Sequence, residues 1–168
     1  MAQQQEITVR RAKVSDAGRI AAFVNRAWRG QQEVNEQVVI ARFGSVGFLL
    51  AERDGNLVGM LGWQVENLVV RVTDFLIWPA PERIAAGRAL LSKMEQAATE
   101  LQCEVALLFP PRPSPPDLVE FCKMFGYVPQ IVADLPKAWQ EAAREARIGD
   151  DETVLMKQLR SDRVLYPL

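Results

Sequence analysis

The chain has 168 residues, 49% of them hydrophobic and 24% charged, which suits one folded domain with a sizeable core and excludes a disordered polyelectrolyte. With 20 Lys and Arg against 21 Asp and Glu, the net charge is −1, so no nucleic-acid partner and no polybasic membrane contact is expected. The absence of histidine removes Ser-His-Asp, Cys-His and His-ligated metal chemistry, and two cysteines, Cys103 and Cys122, are too few for an all-cysteine zinc site, so no metal is expected.

No apolar run approaches the ~18 residues that cross a bilayer. The opening MAQQQEITVRR lacks the apolar core of a signal peptide. A cytoplasmic protein with reduced thiols is the expectation.

Taken in order, Glu6 to Arg11 alternates Ile7 and Val9 with polar neighbours and reads as a half-buried strand. Ser15 and Asp16 offer an N-cap to a helix that places Ile20, Phe23, Val24 and Ala27 on one face. The polar stretch RGQQEVNEQ is a connector, and Val38 to Phe43 reads as a second short helix ended by Gly44. Two apolar runs follow, Gly47 to Glu52 and Leu57 to Val65. Between them lies RDGN, whose Asp54-Gly55 pair is a hairpin turn signal. After a break at Glu66 and Asn67, Leu68 to Trp78 is one more strand, interrupted at Arg71.

Asp74 to Leu101 is the most informative stretch. A short apolar strand (Phe75 to Trp78) meets a proline-bearing turn (Pro79 to Pro81). An amphipathic helix then repeats apolar residues at Ile84, Leu91, Met94, Ala98 and Leu101. Its small, glycine-bearing first turn, Glu82 to Gly87, directs backbone N–H groups beyond the strand end, where an anion such as a phosphate would bind.

Glu104 to Phe109 is an almost wholly apolar strand of the kind buried on both faces. PPRPSPP, residues 110 to 116, reads as a stiff loop; the other reading is a polyproline ligand for an SH3-like partner. Asp117 can cap the helix LVEFCKMF, which stops at Gly126, and Tyr127-Val128 starts another strand. Pro136 to Arg147 is a helix, Gly149 to Asp151 a turn and Val154 to Leu159 the last strand. The tail, residues 160–168, is expected to fray or to pack on a neighbour, and the last strand and tail are the candidate surface for a homodimer. Hairpin strands combined with helical crossovers give a mixed α/β (α+β) fold over 1–168 as a single domain.

Five ordered segments carry a family resemblance: ITVRRAKVSDAGRIAAFVNRAW, FLLAERDGNLVGML, FLIWPAPERIAAGRALLSKME, FCKMFGYVP and VLMKQL. The chain resembles the GNAT superfamily of N-acetyltransferases over nearly its whole length. The resemblance implies a mostly antiparallel sheet with helices on both faces and a splayed pair of fourth and fifth strands that hold acetyl-CoA as co-substrate. Proline after each of these strands, at Pro79 and Pro110, is a physical reason for poor pairing there.

The same resemblance implies a cofactor wall of Leu76, Ile77, Arg83, Ala85, Ala86, Gly87 and Arg88. It implies acetyl transfer to a primary amine on a small molecule or peptide by direct attack. The family's phosphate loop, Gln/Arg-x-x-Gly-x-Gly/Ala, falls here on Glu82, Ala85 and Gly87, of which only Gly87 conforms. Arg83 and Arg88 could offset the Glu82 charge, or Glu82 could point to solvent as a first-turn acid. Cys122 stands where the family's acid is a tyrosine; it is an acid candidate or core filler. Arg71 stands where a base carboxylate is common, which leaves Glu66 and Asp74 as base candidates. The altered positions also open a second reading, a catalytically degenerate module that binds or assembles. Trp28, Trp63, Trp78 and Trp139 are candidates for an acceptor pocket or for the core.

Overall fold

The structure, a computed structural model, describes residues 6–29, 33–110, 116–146, 149 and 152–160. The elements follow the expected order. They are β1 (Thr8–Arg11), α1 (Ala17–Ala27), α2 (Glu36–Arg42), β2 (Gly47–Arg53), β3 (Asn56–Glu66), β4 (Val69–Ile77), α3 (Arg83–Glu100), β5 (Val105–Leu108), α4 (Pro116–Lys123), β6 (Val128–Ile131), α5 (Lys137–Glu145) and β7 (Thr153–Gln158). The sheet runs β1-β2-β3-β4-β5-β7-β6, antiparallel in most pairings and parallel between β4 and β5. The expected loop at residues 111–115, the tail 161–168 and most of the turn near Gly149 lie outside the described residues.

The chain forms two compact units, Met1–Trp63 with Asp74–Met94, and Gln64–Thr73 with Glu95–Leu168. The first holds a core of Ile20, Phe23, Val39, Phe48, Leu50 and Met60, with Leu76 and Trp78 packed against it. These side chains come from one face of α1, from α2 and from alternate positions of β2 and β3. The second has its own core of Val69, Val105, Leu107, Val132, Trp139 and Val154.

Several local expectations change. The helix α2 starts two residues early because the Asn35 side chain accepts the Val38 N–H at 2.9 Å and caps it. Asp16 does not cap α1. Its carboxylate is taken by Arg10 Nη1 and Nη2 (2.9 and 2.8 Å) and by the Lys13 N–H (2.8 Å). The strand β4 is continuous through Arg71, which is in register with Leu107. Helix α3 buries Ala86, Leu90, Leu91, Met94 and Ala98. Ile84 lies in the first turn at the margin of that stripe, and Leu101 lies past the last helical residue, so both are about half exposed.

One close contact sets how near the early turns of α3 lie to the strands. A Cβ at Gly59 of β3 would stand 3.0 Å from Leu90 Cδ1 and 3.5 Å from the Cβ atoms of Ala51 and Ala86. Small residues on strand and helix thus let the first turns of α3 lie directly on β2 and β3.

Candidate functional site

The parallel ladder between β4 and β5 covers Val69–Val72 and Val105–Leu108, with the Phe109 N–H donating to Val72 O at 2.9 Å. Two residues later Asp74 has a positive φ (53°), which aspartate tolerates better than most residues. The ladder ends at Val72 on β4, well before Pro79. Both prolines stand two residues past their strands, but only Pro110 lies close to the end of the ladder.

Beyond Asp74, Leu76 and Ile77 are half-buried, and the Trp78 N–H donates to Val58 O at 3.0 Å. Two arginines of the α1–α2 region reach this segment. The Arg26 guanidinium lies 5.6 Å from the centre of the Trp78 ring, and Arg42 Nη2 lies 2.5 Å from Asp74 Oδ2.

A 3-10 turn, Ala80–Glu82, joins β4 to α3. Its N–H groups are used internally: Glu82 donates to Pro79 O (3.0 Å) and Arg83 to Ala80 O. The donors expected at the helix start are thus partly engaged within the turn. Ala85 and Arg88 are exposed, Arg83 is half-buried, and Ala86 and Gly87 are buried. Glu82 does not point to solvent. Its carboxylate receives Arg53 Nε at 2.9 and 3.2 Å, and both side chains are largely covered. Sequence reading missed Arg53 because it lies 29 residues away. No local signal relates that hairpin end to the turn before α3. Glu52 pairs with Arg10 (2.8 Å) and Arg19 (2.9 Å).

The other candidates belong to different surroundings. Glu66 ends β3 and shares a hydrogen bond with Glu145, which raises its pKa; Arg71 Nη2 lies 3.5 Å away and opposes the shift. Arg71 is buried, donating from Nη1 to Glu145 (3.0 Å) and Ala142 O (3.4 Å), while its Nε has no partner among the described residues. Cys122 on α4 is fully buried, and burial pushes its thiol up to about 12. Tyr127 is also buried. Its hydroxyl donates to Glu95 at 3.4 Å beside Lys157, and burial is the main cause of its raised pKa.

The tryptophans divide. Trp139 is core, donating Nε1 to the buried Glu104 at 3.1 Å, whereas Trp28, Trp63 and Trp78 are half-buried. Among the described residues no group of three Cys, Asp or Glu could hold a metal ion, and no helix is long and apolar enough to cross a membrane.

A model of the acetyltransferase (GNAT) family matches residues 18–127. Comparison with curated proteins gives no match. Among solved structures the chain is similar to N-acetylglutamate synthase from Neisseria gonorrhoeae complexed with coenzyme A and N-acetyl-glutamate, at 17% identity and TM-score 0.68 over 95% of this chain. It spans only 36% of that longer protein. It is similar to YncA, a putative acetyltransferase from Salmonella typhimurium with acetyl-CoA, at 16% identity and TM-score 0.64, covering 94% of this chain and 96% of that one. It is similar to the ribosomal-protein-S18-alanine N-acetyltransferase from Escherichia coli at 14% identity and TM-score 0.67, covering 95% and 99%. At these identities the likeness is one of fold.

Proposed function

The chain belongs to the acetyltransferase (GNAT) family, and from that premise we propose that it transfers an acetyl group from acetyl-CoA to a primary amine. The observation that carries this reading is the β4–turn–α3 segment inside the matched region, where the acid in the turn, Glu82, is already paired with Arg53. A diphosphate meeting that turn faces an ion pair flanked by Arg83 and Arg88, so the residues present fit the anionic end of acetyl-CoA.

In this reading the backbone N–H groups around Leu76 and Ile77 polarise the thioester carbonyl. The amine nitrogen forms its bond to the carbonyl carbon, the C–S bond breaks, and the leaving thiolate takes up a proton. Asp74, on the same strand segment, is the acceptor for the amine's proton, directly or through water. Glu66, engaged by Glu145 and Arg71 as Asp74 is by Arg42, is the weaker candidate because it ends β3, outside the β4 segment that carries Leu76 and Ile77. Cys122 is the residue at the family's acid position. It is fully buried, so the proton that the leaving thiolate takes up is assigned to solvent and not to Cys122.

The acceptor is a small-molecule or peptide amine. The similar structures include proteins named for glutamate and for a ribosomal-protein alanine, which supports this class without choosing within it. A single domain working in the cytoplasm, with a homodimer formed through the last strand and tail, completes the proposal. A catalytically degenerate binding module is the second reading, favoured by the burial of Cys122.

Calorimetry with acetyl-CoA and desulfo-CoA, followed by turnover on an amine panel, tests both. Binding with turnover is the expected result. Binding without turnover across the panel supports the second reading, and no binding at millimolar ligand defeats the acyl-CoA assignment.

A further inference from the structure

We propose that Arg53 is a positioning residue for acetyl-CoA binding, acting through Glu82: it holds the Glu82 carboxylate against the end of β2 so that the turn before α3 accepts a diphosphate. The inference rests on the acyl-CoA reading above. Glu82 sits in the turn before α3, inside the matched residues 18–127, where that reading places the diphosphate. Alone, a carboxylate about 6 Å from one phosphate charge would weaken binding by between about threefold and a hundredfold, for effective dielectrics from 80 to 20.

The structure supplies the compensation at that point. Arg53 Nε donates to both Glu82 oxygens, at 2.9 and 3.2 Å. The two side chains are 26% and 20% exposed, so the pair is better shielded from solvent than an ordinary surface contact.

Both partners are also anchored through their backbones. Arg53 is the last residue of β2, in register with Asn56 across a two-residue turn whose Asp54 and Gly55 both have positive φ (54° and 77°). Glu82 ends the 3-10 turn, its N–H bound to Pro79 O. The Gly59 contact with Leu90 and Ala86 fixes the first turns of α3 over the same two strands. Geometry of this kind holds the Glu82 carboxylate sideways, toward the hairpin, rather than forward along the helix axis toward a bound anion. The Glu82 carboxylate is then matched by the Arg53 guanidinium at the turn itself.

Arg53 on this account need not touch the ligand; its effect passes through Glu82. That separates it from a residue that binds phosphate itself and from one that merely stabilises the fold.

The test compares wild type, Arg53→Met, Arg53→Lys, Glu82→Gln and the double variant Arg53→Met/Glu82→Gln. Steady-state kinetics use acetyl-CoA and, separately, acetyl-pantetheine, which lacks the diphosphate. Calorimetry uses CoA, and thermal melts establish folding. Arg53→Met is expected to raise KM for acetyl-CoA and Kd for CoA about tenfold, within the range given above, with kcat changed less than twofold. Arg53→Lys recovers part of that loss. Glu82→Gln binds at least as well as wild type, and the double variant returns to within about threefold of wild type. With acetyl-pantetheine the five proteins are alike.

Arg53→Met binding CoA as wild type does overturns the proposal. So does a double variant as weak as Arg53→Met, and so does an equal loss on acetyl-pantetheine, which marks a structural role. If wild type itself fails to bind CoA, the acyl-CoA reading fails instead. Should Arg53→Met not fold, the Arg53→Lys and Glu82→Gln arms still decide: Arg53→Lys without any loss, or Glu82→Gln binding CoA more weakly than wild type, rejects the inference.

Discussion

Arg42 at the end of α2 pairs with Asp74, the β4 residue of positive φ, with Nη2 2.5 Å from Oδ2. The contact joins the helical region over the first core to the strand segment that carries the proposed acyl site. Both side chains are more than a third exposed, so the pair itself adds at most about 1 kcal/mol to stability. Asp74→Asn and Arg42→Met should therefore both fold. If Asp74 takes the proton from the amine, Asp74→Asn lowers kcat/KM about a hundredfold. Arg42→Met, which breaks the same pair but keeps the carboxylate, lowers it less than tenfold. Equal losses in the two variants would mark the contact as structural and remove Asp74 from the proton path.

Cys122 gives a prediction of the opposite kind. A fully buried thiol pushed up to about 12 is almost entirely protonated at neutral pH, so native protein should resist thiol-directed alkylation there. Cys122→Ala should keep kcat within about threefold and cost about 1 kcal/mol of stability, the order expected for losing one buried heavy atom. A loss of kcat of a hundredfold or more in a protein with a normal melt would restore Cys122 as the acid.

The strand–turn–helix at the proposed site was legible because its signals are local. An apolar run, a proline turn and an amphipathic period appear within thirty-odd residues of sequence, and the structure places β4, the turn and α3 there. The buried face of α3 was legible at Leu91, Met94 and Ala98 but not at Ile84 or Leu101, because periodicity does not say where the covering elements stop. Asp16 was read as a helix cap because an acid before a helix suits that role; its pairing with Arg10 depends on how β1 is placed. Arg71 looked like a break in an apolar strand, since its partners Glu66 and Glu145 are set by the fold. The Arg53–Glu82 pair was illegible for the same reason: nothing local relates the end of one hairpin strand to a turn 29 residues later.

The Asp16 cluster makes the protein acid-sensitive in a defined window. The Arg10 guanidinium, helped by the Lys13 N–H, outweighs burial and lowers the Asp16 carboxyl from 3.8 to about 2. Because the folded pKa is the lower one, the stabilisation is complete above the unfolded value and is lost as pH falls through the folded value. The shift corresponds to at most about 2 kcal/mol near neutrality, falling to about half by pH 3. Glu52 adds to the effect: burial raises its pKa, but Arg10 and Arg19 together lower it on balance. Urea unfolding at pH 6 and pH 3 should show Asp16→Asn clearly less stable than wild type at the higher pH, with the gap narrowing at the lower. A gap independent of pH would show that Asp16 contributes through packing, not through its charge.

Gly59 links the packing of α3 to the site it presents. An alanine there meets Leu90 Cδ1 at 3.0 Å, the free end of a side chain that can rotate, and meets Ala51 and Ala86 at an ordinary 3.5 Å. The strain is modest, and removing a glycine restricts the unfolded chain, worth about 0.4–1 kcal/mol in the other direction. Gly59→Ala should thus stay within about 1 kcal/mol of wild type. Valine cannot be accommodated in the same way, because its extra methyls add to a contact surface where Leu90 and Ala86 are already fully buried. Gly59→Val should cost about 1–3 kcal/mol. It should also weaken CoA binding, because the helix can yield only by lifting its first turns, and with them the turn that carries Glu82. Chemical denaturation and CoA calorimetry on both variants check this. A Gly59→Val protein that loses stability but binds CoA as wild type does would show that the helix start is held by other contacts.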